Sequence, residues 1–152
     1  MVKAKIVKQR PPTAFESSVY EICSAIPAGK VATYGILSKI LKTSPRAVGQ
    51  SLRRNPYAPI VPCHRVIAAD RSIGGFCGQT GCDNTIVQKK IRLLEDEGVA
   101  FEIMDLKSVE NRQAMVMEKC IISIEELENS AAALLKVSKE TIKVDNEKIV
   151  RC

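Results

Sequence analysis

The reactive chemistry of this sequence concentrates in Pro62-Cys63-His64-Arg65-Val66, with Glu97 further along the chain. A thiol attacks soft and alkyl electrophiles as the thiolate, a form favoured by nearby positive charge and hydrogen-bond donors. His64 is the only histidine, and an imidazole beside a thiol can take its proton directly or through water. Neighbours in sequence need not face one another, so the pairing of Cys63 with His64 is a matter of geometry. Glu97, at the end of a helical pattern, is the distant acid that could orient His64. A purely structural role is the competing reading, because cysteine is among the most buried residue types and a single histidine is often a satisfied core group.

Six cysteines are present: Cys23, Cys63, Cys77, Cys82, Cys120 and Cys152. The chain has no recognisable secretion signal, and its 45% hydrophobic content is enough to fold without staples, so free thiols are expected. No CxxC pair occurs, Cys77 and Cys82 are too far apart to make one, and only one histidine is available. No metal and no cofactor are therefore expected.

Positioning the reactive stretch requires elements on both sides of it. Phe15, Val19, Ile22, Cys23 and Ile26 recur at three-and-four spacing and predict a helix that Pro27-Ala28-Gly29 ends. Ile36, Leu37, Ile40 and Leu41 give a second helix. Ser44 can cap a third, with Pro45 in its first position and Val48 and Leu52 pointing inward. Two short helices joined this tightly resemble a helix-turn-helix. The outer surface of the third combines small residues with long bases, Arg46, Ala47, Gly49, Gln50, Ser51, Arg53 and Arg54, which permits close approach to a polyanion.

Prolines and β-branched residues between 58 and 67 predict a constrained turn around Cys63 and His64 leading into a short strand. Gly74-Gly75 and Gly78 read as turns of a wing. Ile86, Lys90, Leu93, Leu94 and Glu97 return to helical spacing, and Gly98 ends that helix. Val99 to Ile103 reads as a strand, and Ser123 to Glu126 as a capping box before Leu127, Leu134 and Leu135. Thr141 to Val144 and Lys148 to Val150 could pair as a hairpin. The expected fold is a small mixed α/β domain. It comprises a basic lead-in (1–14), a winged helix-turn-helix-like DNA-binding and catalytic module (15–104) and a C-terminal α+β extension (105–152).

Charge supports a polyanionic partner. The net charge of the 152 residues is +6, yet between positions 30 and 71 eight bases stand against Asp70 alone. No apolar run approaches the ~20 residues that cross a bilayer. An intracellular protein, cytoplasmic or nuclear, is expected, without membrane association and, lacking a dimerisation stripe, as a monomer.

Taken together, Ser44-Pro45-Arg46-Ala47-Val48-Gly49, Asn55-Pro56 and Pro62-Cys63-His64-Arg65-Val66 resemble the active-site half of the alkylguanine-DNA alkyltransferase family, over roughly Phe15 to Gly98. The resemblance implies direct reversal of damage in double-stranded DNA. The helix-turn-helix enters the minor groove, an O6-alkylguanine is flipped into a pocket, and its alkyl group passes irreversibly to the protein's own cysteine. It makes Cys63 the acceptor, His64 the water-linked base and Glu97 its orienting acid, with Asn55 bracing the active-site turn. Arg46 matches the finger that fills the vacated base stack, and Tyr34 the aromatic that crowds the DNA backbone and donates to the guanine ring. Val66 would offer its carbonyl to the exocyclic amine.

Three features depart from the family pattern. Phe76 and Cys77 stand where a tyrosine followed by a serine is usual, although Gly78 keeps the small residue that leaves room for the alkyl group. Gln79 to Thr85 lengthens the link into the next helix. Only fourteen residues precede Phe15, where most members carry a larger N-terminal domain. Two rivals follow. One is a non-catalytic alkylguanine-recognition protein that flags damage to another pathway, against which the retained Cys63 weighs. The other is a helix-turn-helix regulator whose Cys63 senses electrophiles.

Overall fold

Thr13 starts the first helix, α1 (Ala14–Ser24), through a capping box: its hydroxyl accepts from the Glu16 amide at 3.2 Å, and its own amide donates to the Glu16 carboxylate at 2.9 Å. This computed structural model describes residues 10–73, 85–105 and 112–138, of which 103–105, 112–114 and 135–138 are described by backbone alone. The buried face of α1 is formed by Glu16, Val19, Tyr20 and Cys23. Phe15, expected inside, is 39% exposed because it flanks that face instead of lying on it. Two polar residues are accommodated there because each has partners: Glu16 binds Arg10 and Arg54, and the Tyr20 hydroxyl donates to the Ser51 carbonyl at 3.0 Å.

A two-residue strand, β1 (Ala32–Thr33), runs straight into α2 (Tyr34–Ile40), whose first turn is capped by the Thr33 hydroxyl. Lys42, at φ 52, turns the chain in the left-handed region, and Ser44 then caps α3 (Pro45–Arg53) by accepting from the Ala47 amide at 3.2 Å. Val48 and Leu52 point inward as expected. Helices α2 and α3 form the helix-turn-helix pair, and Tyr20 ties α3 to α1.

After α3 the chain crosses a turn containing a cis Ala58–Pro59 bond, makes a 3-10 turn at Cys63–Arg65 and enters β2 (Val66–Ile67). Strand β2 pairs in parallel with β1, Ala32 opposite Val66 and Thr33 opposite Ile67. The alternation of a strand distributes these residues between two cores. Ala32 and Val66 join Val19, Cys23, Leu37, Val48 and Cys63 in one cluster, whereas Val31 and Ile67 join Ile73, Val87, Leu94 and Val116 in the other.

Helix α4 (Thr85–Asp96) buries Val87, Lys90 and Leu94. Ile86, part of the helical spacing read from the sequence, is 38% exposed, and Val87 takes the inward side of the helix. Gly98, at φ +86, closes α4 in the left-handed conformation that glycine adopts without penalty. The expected strand begins two residues later than its sequence pattern, as β3 (Phe101–Asp105), antiparallel to β4 (Arg112–Val116).

Helix α5 (Ile124–Ser138) starts from the expected capping box between Ser123 and Glu126. Leu127 is buried, but Leu134, expected with it, is 41% exposed. Ile122, Leu127 and Ala131 complete the first core, and Val116 and Cys120 the second. Backbone hydrogen bonds join Val31 to Cys120 and Ile122. A boundary between residues 104 and 105 therefore falls inside β3, and the described part of the C-terminal segment shares the cores of the preceding residues. The glycines expected to turn a wing (74, 75 and 78), residues 79–84 of the expected Gln79–Thr85 link and the hairpin expected between 141 and 150 lie outside the described residues; Thr85 is the first residue of α4. Among those described, no helix is long and apolar enough to cross a membrane.

Candidate active site

Asn55 shapes the reactive turn. Buried directly after α3, it donates from its side-chain nitrogen to the Val61 carbonyl at 3.0 Å and accepts from the Tyr57 amide at 2.9 Å. The Val61 carbonyl also accepts from the Cys63 amide at 2.8 Å, so a single acceptor links the residue just after α3 to the cysteine. Cys63 is 7% exposed and shares the first core with Cys23.

His64 and Glu97 are brought together by the fold. Nε2 of His64 lies 2.8 Å from Oε1 of Glu97. Burial alone would raise the Glu97 carboxyl, but hydrogen bonds from Arg65 and His64 outweigh it and hold the group below the usual carboxylate range. An ionised carboxylate only accepts, so Nε2 carries the hydrogen and Nδ1 is left as the acceptor. Burial, assisted by the charges of Arg65 and Lys90, holds the imidazole below its ordinary value against the pull of Glu97. His64 is thus neutral at neutral pH, the form a proton acceptor needs.

Tyr34, the first residue of α2, is half-buried over Gly49 of α3, whose added Cβ would meet the ring edge at 3.9 Å. Burial first, with the proximity of Cys63 and Cys23, pushes its hydroxyl up to about 12, so it remains a protonated donor. Arg46, Gln50 and Arg53 are exposed on α3, with Ala47 and Gly49 half-buried. Ser51 departs from the expected DNA-facing surface. It is 3% exposed, its hydroxyl donates to the Ala47 carbonyl and its carbonyl accepts from Tyr20, which turns it toward α1. Val66 is buried, and its carbonyl accepts from Lys90 at 2.6 Å. Phe76, Cys77 and Gly78 lie outside the described residues.

Lys90 is a residue whose importance the sequence reading missed. It is fully buried, and its ammonium donates to the carbonyls of Val66 and Ile73 at 2.6 and 2.7 Å. The signal was its spacing from Val87 and Leu94, which sets it on the inward face of α4. Arg65 was the other omission: its guanidinium binds both Glu97 oxygens and the Ile26 carbonyl. Among the described residues no group of three or more histidines, cysteines or acids could hold a metal ion.

Residues 14–99 match the family model described as the 6-O-methylguanine DNA methyltransferase, DNA binding domain. The chain belongs to this family. The match covers the helix-turn-helix, Cys63, His64 and Glu97. The methylated-DNA–protein-cysteine methyltransferase of Thermococcus kodakarensis is 48% identical over 88 residues, 57% of this chain and 46% of that protein. The chain thus spans about half the length of such curated relatives. Among solved structures, Mycobacterium tuberculosis OGT in complex with DNA is 34% identical with a TM-score of 0.50, covering 57% of this chain and 51% of that one. S. pombe Atl1, in complex with damaged DNA containing O6-carboxymethylguanine, is 25% identical with a TM-score of 0.59, covering 75% of this chain and 99% of that one. The family member described here therefore has the helix-rich mixed domain with a small sheet that these structures share.

Proposed function

We propose that this protein repairs O6-alkylguanine in double-stranded DNA by moving the alkyl group onto its own Cys63, once per molecule and without a cofactor. The observation that carries the reading is a cysteine in the same 3-10 turn as a neutral histidine already hydrogen-bonded to an ionised glutamate, placed directly behind a recognition helix with exposed Arg46, Gln50 and Arg53. The basic face of α3 would hold the DNA backbone as a monomer binds the minor groove. Arg46 would enter the stack and offset part of the few kcal/mol that extruding a base costs.

In the chemical step His64 takes the Cys63 proton, directly or through water. The sulfur attacks the alkyl carbon, the S–C bond forms as the C–O6 bond breaks, the electron pair passes to the purine, and the purine anion takes a proton from solvent to restore guanine. The Tyr34 hydroxyl, protonated at neutral pH, supports the leaving purine by donating to the ring. The Val66 carbonyl can serve the exocyclic amine while it accepts from Lys90, because a carbonyl oxygen has two lone pairs.

Intact mass and peptide mapping after incubation with a duplex carrying one O6-methylguanine test the reading. The expected result is a stoichiometric gain of one methylene on Cys63 with guanine restored, and no gain in C63S. A second reading, damage recognition without repair, draws on the near-complete coverage of Atl1. Tight binding of the lesion with no mass gain would establish it instead.

A further inference from the structure

Arg65 occupies the reactive turn without a role in the proposed chemistry, yet its side chain ties that turn to two other parts of the fold. Nε donates to Oε2 of Glu97 at 2.9 Å and one terminal nitrogen to Oε1 at 2.8 Å, while the other donates to the Ile26 carbonyl just beyond α1 at 2.6 Å. A guanidinium fork of this kind fixes a carboxylate in plane, which an ammonium cannot do. Oε1 of Glu97 is shared, accepting from both Arg65 and His64.

The turn after α1 also approaches the same point. Gly29, three residues beyond Ile26, sits at φ +83, and a Cβ added there would stand 3.1 Å from the Glu97 carbonyl. The turn after α1 thus runs close to the Glu97 backbone, with no room for a side chain between them, while Arg65 binds its carboxylate.

The charges facing His64 are Glu97 at the end of α4, Lys90 within α4 and Arg65 in its own turn. Glu97 alone would draw a proton onto the imidazole. With Arg65 already on that carboxylate, an imidazolium would be an additional cation against an anion that is already matched, in a buried place. We infer that Arg65 is a positioning residue: it clamps Glu97 to the end of α1 and absorbs its charge, so that His64 is held in line by Glu97 and stays a neutral proton acceptor. This rests on the reading of His64 as the base. It goes further in assigning to Arg65 the acid limit of the reaction.

Because His64 is the only histidine, its imidazole signals in an NMR titration need no assignment. The full chain, R65M and R65K are titrated this way, and single-turnover capture from an O6-methylguanine duplex is followed over the same pH range. In R65M the imidazole midpoint should rise by about one unit, the scale on which a neighbouring charge acts. The acid limb of the capture rate should move up with it. R65K keeps the charge but not the fork, so its midpoint should stay near that of the unaltered protein while capture slows at every pH.

An R65M midpoint equal to that of the unaltered protein would overturn the inference. So would an R65K midpoint displaced as far as that of R65M. Should R65M fail to fold, E97Q replaces it in the test: loss of the anion should lower the midpoint, and a rise would overturn the charge argument. If the unaltered protein captures no alkyl group, the repair reading fails, while the imidazole titration still decides what Arg65 does to His64.

Discussion

At the scale of single residues the proposed chemistry depends on keeping two groups in opposite roles: His64 without its extra proton and Tyr34 with its own. The imidazole is held neutral by burial and by the cations around it, and the phenol is held protonated by burial near two thiols. A buried donor aimed at a leaving group is worth much more than one in water, so Tyr34→Phe should slow single-turnover capture on the order of 10²-fold with the fold intact. A rate within twofold of the unaltered protein would remove Tyr34 from the mechanism. Burial pushes the Tyr34 hydroxyl up to about 12, so capture should also show no Tyr34-linked decline between neutral pH and about pH 10.

At the scale of elements, α3 is held from both ends. Ser44 caps its start, and Ser44→Ala should cost about 1 kcal/mol in chemical denaturation. Its far end is tied to α1 through Arg54 and Glu16, whose carboxyl is lowered from 4.5 to about 2, chiefly by the Arg10 hydrogen bonds, then by the Thr13 amide and Arg54. A carboxyl depressed in the folded state stabilises above its unfolded value and loses that contribution as pH falls through the folded one. The melting temperature of E16Q should therefore lie below that of the unaltered protein at pH 7. The gap should close as pH drops from about 4.5 toward 2. A gap that does not change with pH would assign the effect of Glu16 to packing alone.

At the scale of the whole molecule, α5 shares a core with Cys63, because its Leu127 and Ala131, with Ile122 just before the helix, pack in the cluster that holds Val19, Val48 and Cys63. Leu127→Ala should cost roughly 2–5 kcal/mol and do so in a single cooperative transition that includes the active-site turn. Separate melting of the C-terminal segment, with Cys63 equally protected from thiol reagents, would contradict a shared core. Charge acts at the same scale. Removing one exposed base from α3, as in R53A, should weaken binding to all duplexes alike and lower the salt slope of log K by about one.

What the sequence determined by itself was local. The Ser44 cap with Pro45 behind it, the Ser123 to Glu126 capping box, the Gly98 stop and the inward Val48 and Leu52 all depend on partners within one or two helical turns, where spacing along the chain is spacing in space. The motif around Cys63 was legible for the same reason. The orientation of whole helices was not: which face of α1 turns inward left Phe15 outside and Glu16 inside, and the approach of α1 to α3 took Ser51 off the outer surface.

The tertiary structure also decided the partners of the charged groups. His64 meets Glu97 across 33 residues of sequence, Arg65 reaches Ile26 across 39, and Lys90 meets Val66 across 24. No periodicity encodes such pairings. They form because burying the apolar faces of α1 and α4 on either side of the β1–β2 pair carries these polar groups out of water together, and a buried charge must then bind whatever the packing sets beside it.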